Sequence, residues 1–306
     1  MTAVHFIMIG GFLGAGKTTA ILRLAARLAS EGRSVGLITN DQGQALVDTT
    51  RMRAAGLHVE EIAGGCFCCR FNSLIEALRR LSTTLRPDVF IAEPVGSCTD
   101  VVATVTFPLR RLYGNNYKIA PLSVLVDPIR ALRVFGQSNE KKFSEKVLYI
   151  YRKQLEEADI IVINKSDLLD PRGRESLRRA LGERFTRAEI FECSARTGAG
   201  LDAWFDRILT AEQEICAPVE VDYTTYGEGE QLLGWLNVTA TVRFPEPHDG
   251  NRLLLDLANR FRNRLAGEIA HLKMTLTPPE NPFDVASLSL SRNDELPELT
   301  HRLMEP

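Results

Sequence analysis

VHFIMIGGFLGAGKTTAILRLAARLA, residues 4–29, is the stretch from which the fold can be read. Its apolar run from Phe6 to Ile9 predicts a buried strand, and Ile21, Leu22, Leu24 and Leu28 follow at helical spacing. Between them, Gly11-Phe12-Leu13-Gly14-Ala15-Gly16-Lys17-Thr18 matches GxxxxGK(S/T). Gly11, Gly14 and Gly16 let loop N–H groups, those of Ala15 and Thr19 included, close around phosphates at the positive end of the helix. Lys17 is expected to reach the β- and γ-phosphates as a point charge, and the Thr18 hydroxyl to ligate Mg²⁺. The plain alternative is a glycine-rich turn that only joins strand to helix. The flanking strand and helix patterns favour a nucleoside triphosphate site instead.

A chain of 306 residues, 44% apolar and 25% charged, has room for one large domain or two ordinary ones. No apolar span approaches about 18 uninterrupted residues, and the N-terminal apolar run is broken by the glycine loop. A soluble, cytoplasmic protein with no membrane partner is therefore expected. The net charge of −2 comes from 37 basic and 39 acidic residues, and pairs such as Arg79-Arg80 and Arg178-Arg179 read as solvated helix faces. No nucleic-acid partner is expected.

Up to about residue 212, strand-like runs alternate with helical patterns, which predicts an α/β domain: a mostly parallel sheet with helices on both faces. Strands are expected at 4–9, 34–39, 58–62, 88–92, 121–126, 159–163 and 188–193. Helices are expected near 17–30, 73–85, 139–157, 172–184 and 201–211, with Ser73 and Glu76 as a capping box. Residues 213–231 lack a clear period and read as a linker. Residues 232–306 read as a smaller α+β C-terminal domain with an antiparallel sheet, its strands at 232–244, 268–276 and 284–291 and its helix at 251–265.

Ile160 to Ile163 runs into Asn164-Lys165-Ser166-Asp167, an NKxD pattern at a strand end. A carboxylate such as Asp167 can accept both the N1–H and N2–H of guanine, a donor pair that adenine lacks. Lys165 would lay its stem along the purine, and Asn164 would brace the loop. Cys193-Ser194-Ala195-Arg196 resembles the SA(K/R) loop whose backbone meets guanine O6, so Ser194 and Ala195 join the base site. Val89 to Gly96 is a strand ending in ExxG, where Glu93 would organise Mg²⁺ and Gly96 would respond to the γ-phosphate. No glutamine follows where Ras-like enzymes orient water, so unaided GTP hydrolysis is expected to be slow.

Three of the six cysteines crowd into Cys66-Phe67-Cys68-Cys69. Thiolates at Cys66, Cys68 and Cys69 suit a transition metal such as Zn²⁺, and three ligands from one loop leave a site open for loading and release. Two other readings stay open: a Cys66–Cys69 dithiol before a helix, and cysteines that only pack. Cys98, Cys193 and Cys216 are isolated in sequence and read as buried thiols. In Asn40-Asp41-Gln42-Gly43, Asp41 is able to approach either Mg²⁺ or the cysteine-bound ion, and a surface turn is the alternative. His58, His248, His271 and His301 are scattered singly and are not assigned as ligands.

Taken together, GGFLGAGKTT, GGCFCC, EPVG and NKSD resemble, in that order, the motifs of the CobW-type metallochaperone P-loop GTPases, relatives of the nickel-handling hydrogenase and urease accessory GTPases. The resemblance implies GTP hydrolysis coupled to delivery of Zn²⁺ or Co²⁺ to a client metalloprotein or cofactor pathway. It assigns Lys17, Thr18, Glu93 and Asp41 to catalysis, Asn164 and Asp167 to the base, and Cys66, Cys68 and Cys69 to the delivered metal. Relatives also suggest nucleotide-dependent dimerisation, for which these residues give no argument. Gln44 stands where many members have a second acid, and there is no histidine-rich tract, so metal storage is not expected. DYTTYGEGEQLLGWLN looks like a subgroup linked to corrinoid-dependent methyl transfer. That leaves an alternative: a G-protein chaperone gating a corrinoid-dependent enzyme, with structural cysteines and the C-terminal domain as the partner surface.

Overall fold

The computed structural model describes residues 3–41, 52–53, 56–63, 66, 68–135, 143–215, 217–282 and 284–304, without the side chains of Asp41 and Ala63. The chain divides into two compact units, Met1–Gln42 with Leu57–Gly234, and Gly43–Gly56 with Trp235–Pro306. Among the described residues, no helix is long and apolar enough to cross a membrane.

The first unit is built on a parallel sheet. Its strands are β1 (Val4–Gly11), β2 (Val35–Asp41), β3 (His58–Ala63), β4 (Val89–Glu93), β5 (Tyr117–Ile119), β6 (Ser123–Val126), β7 (Ile160–Ile163) and β8 (Glu189–Glu192). They run in the order β3-β2-β4-β1-β6-β7-β8, and β5 pairs with the start of β1. A parallel sheet covered on both faces needs near-continuous apolar strands. Phe6 to Ile9, Val89 to Ala92 and Ile160 to Ile163 meet that need and are buried throughout. Register then lines up the chemistry at one end: Met8 lies beside Ala92 and Ile163 beside Val126 and Glu192. The loops after β1, β4, β6, β7 and β8 consequently emerge together at the carboxyl ends of the strands, the usual ligand side of an open α/β sheet.

The helices of this unit are α1 (Lys17–Ser30), α2 (Phe71–Thr84), α3 (Phe107–Tyr113), α4 (Pro128–Phe135), α5 (Glu145–Glu156), α6 (Pro171–Arg184), α7 (Leu201–Thr210) and α8 (Tyr223–Leu232). α2 starts earlier than the capping box predicts. Its N-cap is Arg70, so Ser73 sits inside the first turn with its N–H on the Arg70 carbonyl. The start expected at residue 139 lies outside the described residues, and Ser144 caps α5 by accepting the Val147 N–H. α8 lies, all but its last residue, within the stretch 213–231 that reads as a linker. Two glycines and a mixed composition hide its period, but Asp222 caps it by accepting from Thr224 and Thr225. α8 packs on α5, and Gly229 permits the approach, since a Cβ there would lie 2.6 Å from the Lys146 carbonyl oxygen.

In the second unit α9 (Gly250–Arg264), capped by Asp249, covers an antiparallel sheet of β9 (Leu272–Leu276), β10 (Ala286–Leu290) and β11 (Glu298–His301), ordered β11-β10-β9. Leu254, Ala258, Ala286, Leu288 and Leu303 form its core. The strand predicted over 232–244 does not form: residues 233–249 are neither helix nor strand, and Leu236 is 82% exposed. Period-2 alternation marks a capacity for half-burial, and here the sheet takes its third strand from β11 instead.

Two glycines of α8 separate packing from propensity. Nothing lies within 4 Å of a Cβ placed at Gly227, whereas one at Gly229 meets the Lys146 backbone. Gly227→Ala is expected to raise stability by about 0.8–1 kcal/mol. Gly229→Ala is expected to lower it, and urea unfolding of the two variants measures both signs.

Candidate nucleotide site and cysteine cluster

The phosphate loop has the backbone its glycines allow. Gly11, Gly14 and Gly16 have φ of 129°, 77° and 89°, and a Cβ on Gly11 would fall 2.4 Å from the Leu125 carbonyl oxygen. Gly16 caps α1 without a side-chain hydrogen bond, so the first-turn N–H groups face outward as an anion site. Lys17 Nζ donates to the carbonyls of Gly11 (2.8 Å) and Phe12 (3.4 Å), holding the ammonium over the loop. Thr18 Oγ1 donates to both Glu93 oxygens, at 3.1 and 3.2 Å. The structure thus brings Lys17, Thr18 and Glu93 together. The Asp41 side chain and the whole of Gln42, Gly43 and Gln44 lie outside the described residues.

The base end is held by one amide. Asn164, buried, donates Nδ2 to the Ala15 carbonyl (2.8 Å) and accepts the Ala195 N–H at Oδ1 (2.9 Å). A Cβ on Gly16 would lie 2.4 Å from that Nδ2. Lys165 is left-handed at φ 54°, and its Nζ bonds Asp127 Oδ2 at 2.8 Å. Asp167 is exposed in the turn Ser166–Leu168, while Ser194 and Ala195 are buried. Sequence reasoning misses Asp127 and Arg130. Asp127 fixes Lys165, and Arg130 donates to the Leu13 carbonyl with its guanidinium 5.3 Å from the Phe12 ring centroid. The available signal was Asp127-Pro128 at a strand end, the same acid-proline step as Glu93-Pro94.

The cysteines assemble differently from the expectation. Cys98, read from sequence as an isolated buried thiol, is disulfide-bonded to Cys66, 32 residues away. Its Sγ lies 3.5 Å from Cys68 Sγ. The sulfurs of Cys66, Cys68 and Cys98 all lie within 4.8 Å of one another, close enough to share an ion once the Cys66–Cys98 bond is open. Cys69 is exposed, with its Sγ 3.8 Å from that of Cys68. Burial, with Cys69 alongside, pushes the Cys68 thiol well above its ordinary range. Cys193 is a buried thiol pushed up to about 12 by burial. Gly64, Gly65, Phe67 and Cys216 lie outside the described residues.

Cys98 arrives on the segment that begins at Glu93. Gly96 passes so close to the phosphate loop that a Cβ there would meet Leu13 Cδ2 at 2.7 Å. Gln154 of α5 donates to the carbonyls of Gly96 (3.0 Å) and Cys98 (2.8 Å). Buried Glu157 accepts from Thr99 Oγ1 (3.2 Å) and the Val102 N–H (3.3 Å). Asp100, at φ 62°, accepts from the Tyr223 hydroxyl.

A parallel sheet with a phosphate loop, a Thr–Glu pair beside it and an NKxD turn tied to that loop defines a P-loop nucleotide-binding domain of the GTPase class. Residues 5–192, more than half of the chain, match the family model "CobW/HypB/UreG, nucleotide-binding domain", and the chain belongs to that family. It is 33% identical over 177 residues to the zinc chaperone YeiR of Escherichia coli K12, covering 56% of this chain and 49% of that one. It is 29% identical over 201 residues to the zinc chaperone CobW of Sinorhizobium sp, covering 59% and 56%. The chain thus spans about half the length of the curated relatives it matches. The crystal structure of HypB from Helicobacter pylori in complex with nickel shares the fold, with TM-score 0.50, 17% identity, and coverage of 71% of this chain and 92% of that one.

Desolvation raises the Glu157 carboxyl from 4.5 to about 8, against the opposing hydrogen bond from Val102. The folded state therefore holds a proton that the unfolded chain releases above 4.5. The corresponding stability is complete below that value and is lost as pH rises through about 8. Glu157→Gln is expected to gain melting temperature over wild type at pH 9 and to gain little or nothing at pH 5, as read by thermal unfolding at both pH values.

Proposed function

We propose that this chain is a GTP-hydrolysing metallochaperone that holds a transition metal on its cysteine cluster and passes it to a client protein or cofactor pathway. One observation carries the reading: the segment from Glu93 to Cys98 touches the phosphate loop at Gly96 and the thiol cluster at Cys98. Nucleotide state and metal geometry then share a part. Zinc is favoured because YeiR and CobW, the relatives above, are zinc chaperones, and thiolates also accommodate cobalt.

In this mechanism Lys17 leaves the Gly11 carbonyl for the β- and γ-phosphates, and Asp167 selects guanine through its paired acceptors. The hard oxygens of Thr18 and Glu93 fit Mg²⁺, which when bound would neutralise phosphate charge. With no glutamine to orient water, turnover is slow. The ordering of the Glu93–Cys98 segment around GTP shifts Cys98 and with it metal affinity. The second unit, with Trp235, Val238 and Phe244 exposed, is the proposed client surface. The proposed location is the cytoplasm, and pairing of two copies in the GTP state is compatible with the reading.

A second reading is favoured by the Cys66–Cys98 disulfide: a G-protein chaperone for a corrinoid-dependent enzyme, with the cysteines structural.

Zn²⁺ or Co²⁺ affinity, measured on reduced protein with GDP and then with a non-hydrolysable GTP analogue, is expected to differ roughly 5- to 150-fold, as an allosteric coupling of about 1–3 kcal/mol requires. Equal affinities would refute the coupling. Asp167→Ala is expected to weaken GDP binding by about 10- to 150-fold, the value of a hydrogen bond to a charged group, without improving ADP binding. Calorimetric titration of both nucleotides decides this.

A further inference from the structure

Resting on the reading of Asp167 and the loop after β8 as the guanine site, the structure assigns Arg23 of α1 as the positioning residue that gives this loop its contact with guanine O6. The Arg23 guanidinium spans two successive carbonyls of the loop: Nε donates to Ala195 O (3.1 Å) and Nη2 to Arg196 O (2.8 Å). A planar guanidinium presents its donors in a fixed fork, so one side chain sets the direction of both carbonyls together. A lysine ammonium, a single point charge, does not reproduce that fork.

The rest of the loop is closed on itself. The Ser194 N–H donates to the Ala199 carbonyl (2.9 Å), the Gly198 N–H to the Ser194 carbonyl (2.8 Å) and the Thr197 N–H to Ser194 Oγ (3.2 Å). Asn164 takes the Ala195 N–H and so places the loop beside the phosphate loop. These bonds fix where the loop lies; the bonds from Arg23 fix which way its Ala195–Arg196 peptide faces. In a planar trans peptide the C=O and N–H point to opposite sides, so drawing the Ala195 carbonyl toward α1 turns the Arg196 N–H away from α1. Guanine offers an acceptor at O6 where adenine offers an amino donor, so the direction of a backbone N–H here separates the two bases.

α1 begins with Lys17 and Thr18, so one helix carries the phosphate and Mg²⁺ groups in its first turn and the clamp on the base loop about two turns later. Arg23 is on the exposed side of that helix, away from its buried residues Ile21, Leu24, Ala25 and Leu28, so replacing it leaves the packed face intact. Arg27, one turn on, pairs with Asp202 (3.5 Å) and Asp206 of α7, the helix that follows the loop. It ties α1 to α7 without a bond to the Ala195 or Arg196 carbonyl and serves as the control.

The test is calorimetric titration of the full chain with GDP, 6-thio-GDP, in which sulfur replaces O6, and IDP, which lacks the N2 amino group; thermal unfolding checks that each variant is folded. Wild type is expected to prefer GDP over 6-thio-GDP by about 2- to 12-fold, the value of one neutral hydrogen bond, and over IDP by about 10- to 150-fold, since N2–H meets the Asp167 carboxylate. Arg23→Ala is expected to bind GDP about 2- to 12-fold more weakly, to lose its preference over 6-thio-GDP and to keep its preference over IDP. Arg23→Lys is expected to fall between the two, and Arg27→Ala to keep both preferences at wild-type values. A general loosening of α1 would weaken all three nucleotides alike; that result in Arg23→Ala overturns the assignment, as does unchanged GDP affinity or a wild type indifferent to the sulfur. A wild type that binds ADP as tightly as GDP instead removes the guanine site, and the assignment with it.

Discussion

Asn164 occupies the point where three loops must meet, and its amide satisfies two of them at once: its nitrogen caps the Ala15 carbonyl and its oxygen takes the Ala195 N–H. Buried backbone polar groups left without partners cost about 1–3 kcal/mol each. A residue lacking either half of the amide would strand one of them. The same side chain explains Gly16, because a Cβ there would lie 2.4 Å from the amide nitrogen. The phosphate loop, the base loop and the loop after β8 therefore take their relative positions from one side chain. Parallel pairing of β1, β6, β7 and β8 has already brought the strand ends to the same edge.

On the other side of β1 the same economy recurs with a different purpose. Glu93 takes the Thr18 hydroxyl, Gly96 leaves room for Leu13, and Cys98 meets the thiols of the loop after β3. This run has no regular backbone pairing of its own, so α5 supplies it: Gln154 donates to two carbonyls and Glu157 accepts an N–H and a hydroxyl. A buried carboxylate is expensive, and its raised pKa shows that burial outweighs its hydrogen bonds. An apolar side chain in its place would leave the Val102 N–H and the Thr99 hydroxyl without that acceptor.

What could be read from sequence was whatever is local in the chain. The strand–loop–helix of residues 4–29, the NKSD turn and the apolar runs of β4 and β7 declare themselves because their determinants are adjacent residues. Asp127, Arg130 and Cys98 do not, because each acts on a partner far away in sequence: Arg130 on Leu13, Cys98 on Cys66 and Cys68. α8 escapes a sequence reading for another reason: its two glycines weaken helical propensity, and only Gly229 has a packing role, against Lys146 of α5. The strand expected at 232–244 failed in the opposite direction. Its alternation is clear, but a strand also needs a partner edge, and alternation says nothing of one.

Cys98 shows how such a residue changes a functional reading. Taken alone, Cys66, Cys68 and Cys69 suggest a site belonging to one loop, which would open or close with that loop. Once Cys98 is included, the sulfur group bridges the loop after β3 and the segment after β4, and the latter begins at Glu93, beside Thr18. Coupling between two sites needs an element that both sites bias. The Glu93–Asp100 segment meets that requirement physically, being held at one end by the phosphate loop and in its middle by α5, with a sulfur between. A motion that repositions Gly96 against Leu13 either carries Cys98 with it, and then its sulfur shifts against that of Cys68, or breaks the bonds from Gln154 that tie the Gly96 and Cys98 carbonyls together.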